Sequence, residues 1–436
     1  MVAPSPMNRH RVVLRSGDIR DSCDNVPKQI RVIATAKEHT PMSTTLIRNV
    51  RPLHHAATDV LISDGLITEI APGITPPDGA DIIDGQGALL FQGLIDGHTH
   101  MDKALLGLPW HSTKPSATIT ETIANERQLR REEAIDARQQ STRHAHAAIA
   151  AGTTHIRSFA DIDTEWGLNG VRGLMQTRDE LRDKVQIQVV AFPQSGMLIR
   201  PGTVELLDQA LSEGAEVIGG LDPSAIDRDP KGHLDTIFAL AEKYDVDVDV
   251  HLHEPGELGA FSFDLIIERT RALGWQGRVT ISHAFALGGI EPARLDSLVQ
   301  QLLDLDIAIM SHGPSGGRPA PPVEQLRAAG VRMISGNDGI QDSWGPLNRP
   351  EMLHRAYLVC YRNNFRRDDQ IEDVIDLITN SSAEVMGIDD YGFAVGKAAD
   401  LVLVEEENHC AAVIRRPTPS LVMKAGKVTA RNGSVV

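Results

Sequence analysis

The sequence predicts an α/β protein: a (β/α)8 TIM barrel with a small β-sandwich built from both chain ends. Three observations predict it. Between Gly93 and Gly387, eight short apolar runs alternate with stretches of helical period. Before Gly93, and again near the C-terminus, the pattern changes to period-two alternation broken by turn residues. No G-x-G-x-x-G follows the first apolar run of the middle segment, so a doubly wound dinucleotide-binding sheet is the weaker reading of the same alternation.

In chain order, residues 1–41 carry scattered Arg and Lys, early prolines and little periodicity, and are expected to form a poorly ordered extension. They hold no apolar run ending in a small-residue cleavage site, so they do not read as a secretory signal. Residues 42–92 hold TLIRNV, ATDVLISDG, LITEIAP and ADIIDGQGALL, separated by Asp-Gly, Pro-Gly and Pro-Asp-Gly, and read as a β-meander. Residues 391–436 repeat that texture in ADLVLVEEE and AAVIRRPTPSLVMKAGKVTARNGSVV. Neither piece can bury a sheet face alone, so both are assigned to one sandwich. Residues 93–390 are assigned to the barrel. Its strands are GLIDGHTH, TTHIRSFADI, VQIQVVAFPQ, EVIGGLDPS, VDVDVHLHE, RVTISHAF, IAIMSHGP and VRMISGNDG, and helical patterns such as TVELLDQALSEGA follow most of them.

Composition narrows the function. The chain has 436 residues, 41% hydrophobic and 23% charged, which is too apolar for a disordered chain and ordinary for a globular one. A balance of 43 Lys and Arg against 59 Asp and Glu leaves a net charge of −16. That charge repels phosphate backbones and anionic lipid, so neither nucleic acid nor a membrane surface is an expected partner. Cys23, Cys360 and Cys410 form no close pair, which excludes a disulfide scaffold, a zinc ribbon and a four-cysteine iron–sulfur cluster. Few cysteines fit a reducing compartment, and no run of about 18 apolar residues suggests a membrane span, so a cytoplasmic enzyme is expected. Barrels of this size often assemble, and a homo-oligomer is expected.

A barrel of this kind works at the C-terminal ends of its strands. The first strand ends in His98-Thr99-His100, whose imidazoles share a face because side chains alternate along a strand. The third ends in Pro193-Gln194, the fifth in His251-Leu252-His253-Glu254, the sixth in Ser282-His283-Ala284 and the eighth in Gly336-Asn337-Asp338. Zn²⁺ and Fe²⁺ accept imidazole nitrogen and carboxylate oxygen, and a catalytic site keeps one position open for water. His98, His100, His251 and Asp338 supply three nitrogens and an oxygen, so one divalent ion, Zn²⁺ or Fe²⁺, is the expected cofactor. Such an ion lowers the pKa of a bound water towards about 7 and supplies hydroxide near neutral pH. Glu254 is the candidate proton shuttle, and His283 the candidate to orient the attacking water or steady developing charge. An isolated H-x-H is a weak signal, and a lone strand-end Asp more often caps a helix. The weight comes from several such groups falling at the correct ends of several strands.

Other residues read as structural. His144 and His146 fall on a helix, and His155 lies at the wrong end of the second strand. His253 shares the phase of His251 and is assigned a supporting role. His312 ends the seventh strand and is a candidate substrate contact. Lys103 reads as a loop or ion-pair residue. The fourth strand contains no lysine, which argues for one ion and against a carbamate-bridged pair.

The stretches GLIDGHTHMDK, VQIQVVAFPQSG, AEVIGGLDP, LAEKYDVDVDVHLHE, GRVTISHA, ISGNDGIQDSWGPLN and YGFAVGKAADLVLV together resemble the amidohydrolase superfamily, in its cytosine deaminase-like branch. The resemblance runs from Met42 to the C-terminus. It implies that His98, His100, His251 and Asp338 hold the metal, that Glu254 is the proton-shuttling glutamate, and that His283 lies beside the attacking water with Asp338. It further implies that Gln194 reads a pyrimidine's carbonyl and ring-nitrogen edge and that Trp344 walls the pocket. The implied activity is hydrolytic deamination of cytosine or a related amino-substituted heterocycle, with ammonia released by metal-activated hydroxide and a small heterocycle as the partner. The alternative is removal of an alkylamine from an s-triazine of the N-isopropylammelide kind, or hydrolysis of another cyclic amide or amine. A non-catalytic ligand-binding barrel is the remote alternative. Two residues depart from the pattern: Gly339 stands where bacterial cytosine deaminases carry a second aspartate, and Phe159 where many relatives carry histidine. No C-x-x-C occurs, which excludes the zinc cytidine deaminase type.

Overall fold

The computed structural model describes residues 44–436, so the extension expected over residues 1–41 lies outside the described residues. Strands β1 (Thr44–Pro52), β2 (Thr58–Ser63), β3 (Leu66–Ala71), β4 (Asp81–Asp84) and β5 (Leu89–Gln92) come first. The first three pair antiparallel, and the β2–β3 turn uses Asp64 and Gly65 at φ 53° and 81°, both in the left-handed region that two-residue hairpins require. β4 and β5 instead lie parallel to β1, so the expected meander stops after three strands. The physical reason is the connection over 72–80. It is longer than a hairpin turn, and its Pro76 and Pro77 cannot donate to a ladder, so the chain crosses back before re-entering the sheet.

Eight parallel strands follow: β6 (Leu94–Thr99), β7 (Thr153–Asp161), β8 (Gln186–Phe192), β9 (Val217–Leu221), β10 (Asp247–His251), β11 (Val279–Ser282), β12 (Ala308–Met310) and β13 (Met333–Ile334). Each pairs with its neighbour in sequence, and the ring closes between the last and the first. Gly97 donates its N–H to Ser335 O at 3.0 Å, and Asp338 donates to His98 O at 2.8 Å. Glycine at 336 permits that closure, because a Cβ there would sit 2.3 Å from His98 N. Every residue of β7 is buried, as expected for a parallel strand covered on both faces. Ile187, Val189, Ile218, Val248, Val250 and Ile281 pack outward against helices such as Pro230–Tyr244 and Gly256–Leu273. Phe159, Val190, Phe192, Val217 and Leu221 form a second cluster with Ile123 and Trp344.

The chain end adds β14 (Leu401–Val404), β15 (Leu421–Lys424), β16 (Lys427–Arg431) and β17 (Ser434–Val435). β14 pairs antiparallel with both β5 and β15, which joins the two chain ends into one sheet ordered β17-β16-β15-β14-β5-β1-β2-β3, with β4 beside β1. Ile47, Val60, Ile62 and Ile67 from one end share a core with Leu401, Leu403, Leu421 and Met423 from the other. The stretch after β14 was expected as strand, but His409–Arg415 is a helix. Asn408 caps it by accepting from the Ala411 N–H at 2.8 Å, and Ala412 and Val413 turn into the main core. No helix among the described residues is long and apolar enough to cross a membrane.

Candidate active site

The end of β6 places His98 and His100, the end of β10 places His251, and the backbone bond to His98 brings Asp338 alongside. His100 Nε2 lies 3.3 Å from His251 Nε2 and 3.5 Å from Asp338 Oδ1, while His98 Nε2 is 3.8 Å from that same oxygen. One donor atom from each of the four residues falls within 4.8 Å of the others, which makes the set able to hold a metal ion. His98 Nε2 is buried with no hydrogen-bond partner among the described residues. An orphaned imidazole nitrogen facing two others and a carboxylate oxygen is what a divalent ion would satisfy. Burial holds His98 and His251 well below the usual imidazole pKa, in the neutral form that ligates.

A chain of buried groups orients this cluster. Ser282 Oγ donates to Asp249 Oδ1 at 2.6 Å, and Arg157 Nη1 donates to Asp249 Oδ2 at 3.1 Å. With its proton committed to Asp249, the Ser282 oxygen accepts from His98 Nδ1 at 3.1 Å, which leaves the His98 Nε2 lone pair for the centre. The Phe159 ring lies 4.2 Å from His98 and 4.5 Å from His251, and Phe192 stacks on His251 at 4.2 Å.

Four groups near the cluster can move or hold a proton. His253 Nδ1 lies 2.8 Å from Asp222 Oδ2, and its ring stacks on His283 at 4.2 Å. Burial would lower the His253 pKa, but the Asp222 carboxylate overcomes it and raises the value. His283 Nδ1 and His312 Nδ1 are 3.1 Å apart, and His312 Nε2 is 3.9 Å from Asp338 Oδ2, so His312 reaches the same space. His283 and Asp338 both adopt left-handed backbone, at φ 69° and 60°, a conformation that aims each side chain at some cost. Glu254, the expected proton shuttle, is held by hydrogen bonds from the neighbouring turn and helix. Its Oε1 accepts from the Ser224 and Ala225 N–H groups at 2.8 Å each, and Ser262 Oγ donates to its Oε2. None of its hydrogen bonds reaches the histidine cluster.

A buried ionic network borders the other side. Lys103 Nζ donates to Glu126 Oε2 at 3.0 Å, Asp161 Oδ1 at 3.1 Å and Gln194 Oε1 at 3.0 Å. Because lysine only donates, the Gln194 oxygen must face it, and the Gln194 amide NH₂ points elsewhere. Arg130 binds Asp161 at 3.2 Å and Asp163 at 2.9 Å. Trp344 donates its indole N–H to Glu126, and its ring lies 5.9 Å from Lys103 Nζ. Burial would lower the Lys103 pKa, but Asp161 and Glu126 outweigh it and keep the amine charged. Asp342 Oδ1 accepts from the Trp344 N–H at 2.9 Å and the Gly345 N–H at 3.2 Å; burial pushes its pKa up to about 7 against the pull of Lys103.

Residues 81–436 match the amidohydrolase family. The chain belongs to that family. A curated relative, N-isopropylammelide isopropyl amidohydrolase of Pseudomonas sp. (strain ADP), is 31% identical over 82% of this chain and 89% of its own length. The crystal structure of N-isopropylammelide isopropylaminohydrolase from Burkholderia multivorans superposes with a TM-score of 0.88 at 45% identity, covering 91% of this chain and all of that one. The 5-methylcytosine deaminase of Klebsiella pneumoniae, liganded with 5-fluorocytosine, gives 0.79 at 28% identity over 88% of this chain and 97% of its own. The protein is therefore an amidohydrolase acting on C–N bonds other than peptide bonds.

Sequence reasoning placed His98, His100, His251, His283, His312, Gln194, Trp344 and Asp338 at strand ends or by resemblance, and in this amidohydrolase all lie around one barrel mouth. It read Lys103 as a loop or ion-pair residue and His253 as a supporting one, and the structure gives Lys103 ion pairs with Glu126 and Asp161 and His253 a bond to Asp222; it did not single out Asp222, Glu126 or Asp342. For His253 the signal was its shared alternation phase with His251. For Asp222 it was an acid at the end of EVIGGLD. Glu126 and Asp342 carry no such signal, since a helix and a loop deliver them from elsewhere.

Proposed function

We propose that this amidohydrolase cleaves the bond between an amino substituent and a carbon of an oxo-substituted nitrogen heterocycle. The carrying observation is the pairing of the His98, His100, His251 and Asp338 donor set with a Gln194 amide whose NH₂ is freed by Lys103. A divalent ion, Zn²⁺ or Fe²⁺, held by those four residues would supply Lewis acidity and a nucleophile from water. Gln194 donates through Nε2 to a ring carbonyl, and Trp344 lines the pocket with its indole fixed by Glu126. His253, its positive charge favoured by Asp222, gives a proton to the ring nitrogen or the leaving amine. His283, held neutral by burial and braced by His312, accepts a hydrogen bond from the attacking water, with Asp338 as the second acceptor. The oxygen of water ends on the ring carbon and its hydrogens on the ring and the departing amine.

An N-alkylamino-hydroxy-s-triazine is the first substrate, supported by relatives at 45% and 31% identity that carry that substrate in their names. Cytosine or a related aminopyrimidine is the second reading, supported by the 28% identical deaminase. The test is amine release from N-isopropylammelide and from cytosine by protein loaded separately with Zn²⁺ and with Fe²⁺. Isopropylamine release establishes the first reading, and ammonia from cytosine alone establishes the second. No release of either by metal-loaded protein would overturn the substrate class. In the same assay His253→Asn should lose about 10²–10⁴-fold in turnover while keeping its metal. Glu254→Gln should stay within about tenfold of the parent. The opposite outcome, with Glu254→Gln folded, metal-loaded and silent, would return the shuttle to Glu254.

A further inference from the structure

Asp342 holds an oxygen that the protein leaves unused. The residue is 4% exposed, and both backbone hydrogen bonds of its carboxylate go to Oδ1, from Trp344 and Gly345. Oδ2 is buried with no partner among the described residues. A buried carboxylate oxygen without a donor is costly, and in a native fold it needs an occupant. Lys103 exerts its charge on Asp342, yet the three protons of its ammonium are already directed at Glu126, Asp161 and Gln194. The Lys103 ammonium therefore has no proton left for it.

The oxygen also lies beside the cluster. Gly339 follows Asp338 directly, and a Cβ on Gly339 would sit 2.2 Å from Asp342 Oδ2. The absent side chain is what admits the carboxylate. The loop that carries it is tied at several points: Leu105 N–H donates to Gln341 O at 2.8 Å, Asp342 N–H to Gly345 O at 3.2 Å, and Asn348 Nδ2 to Gly339 O at 2.7 Å. An acceptor held in place in this way costs little ordering when a ligand binds it.

We infer that Asp342 is a specificity-determining residue: Oδ2 accepts a hydrogen bond from a ring N–H next to the carbonyl that Gln194 reads. The donor and the acceptor together recognise a lactam edge, C=O beside N–H. Heterocycles with that edge are admitted, and those alkylated on the ring nitrogen are rejected. The Gln194 half of the pair rests on the function proposed above.

The test separates binding from turnover. Uracil and cyanuric acid are titrated calorimetrically into metal-loaded protein, beside 1,3-dimethyluracil and trimethyl isocyanurate, which lack every N–H. At pH 8, where the Asp342 carboxyl pushed up to about 7 is mostly ionised, the parent should bind the N–H forms about 10- to 150-fold more tightly, the range for one hydrogen bond to a charged acceptor. Asp342→Asn keeps the Oδ1 cap on Trp344 and Gly345 but turns Oδ2 into a donor, so it should bind both forms equally weakly with unchanged metal content and Tm. Gly339→Ala, which pushes the carboxylate aside without altering it, should give the same levelling and serves if Asp342→Asn does not fold. The inference is overturned if the variants discriminate as the parent does, or if the parent binds N–H and N-methyl forms alike or binds neither. Failure of the functional reading shows separately, as binding without amine release from any substrate.

Discussion

Replacing Ser282 by alanine removes one oxygen from the chain that orients His98. That hydroxyl donates to Asp249 at 2.6 Å and accepts from His98 Nδ1 at 3.1 Å, and all three residues are buried. Two losses follow. His98 loses the group that fixes its ring and its tautomer, and partners of this kind change metal affinity by about 10- to 100-fold, or about 1.4–2.8 kcal/mol. Asp249 keeps Arg157 on one oxygen but loses its donor on the other, which costs about 1.5–3 kcal/mol of folding stability. Asp249 is already pushed up to about 6 by burial, and without Ser282 its pKa rises further. Competition with a chromophoric chelator gives the affinity, and urea unfolding of the metal-free and metal-loaded forms gives the stability. The metal-free variant should lose about 1.5–3 kcal/mol, and the loaded form, at fixed free metal, about 3–6 kcal/mol. Affinity within twofold of the parent together with unchanged metal-free stability would refute the argument that Ser282 links Asp249 to the cluster.

Three further outcomes are expected. His144 is fully buried with neither ring nitrogen partnered among the described residues, and burial lowers its pKa to about 3, with His100 adding to the effect. A folded-state value below the unfolded 6.5 means that this contribution is complete above pH 6.5 and is lost as pH falls towards 3. It amounts to about 2 kcal/mol between pH 7 and pH 5. His144→Phe should therefore lose less stability than the parent over that interval in unfolding titrations, and equal losses would count against it. Lys103→Met leaves Glu126 and Asp161 with Arg130 as their remaining buried cation and should cost about 3 kcal/mol in urea unfolding. Lys103→Arg should restore much of that stability yet leave KM raised, because a planar fork cannot reproduce three separate donors; full recovery of KM would show that Gln194 does not depend on Lys103.

The ligand cluster was legible because a barrel confines chemistry to strand ends, and His98, His100 and His251 each close an apolar run whose period-two phase aims them inward. Asp338 was legible only as an acid near a strand end, since it lies past Ile334 in left-handed backbone and its bond to His98 O brings it alongside. The contacts of Glu254 were not legible, because a residue just past a strand no longer obeys that phase; the turn at Pro223–Asp227 offers two N–H groups, and the carboxylate turns to them. The Lys103 network was not legible, since its acids come from the helix Ile119–Glu132, from β7 and from the loop at 342, and only the folded chain brings them within reach. The parallel placement of β4 and β5 was equally hidden, because alternation reports which face is buried and carries no information about strand direction.

The shared core of the two chain ends has a kinetic consequence. Ile47, Val60, Ile62 and Ile67 leave the ribosome well before the residues that cover them, Leu401, Leu403, Leu421 and Met423, which lie beyond the whole barrel in sequence. At ~5–20 residues per second the wait is tens of seconds. Throughout it the barrel is being assembled while β1, β2 and β3 hold an apolar face to water with an unpaired strand edge. Strands made before the barrel are thus finished only after it, and nascent chains of this enzyme should depend on a holding chaperone until β14 and β15 emerge.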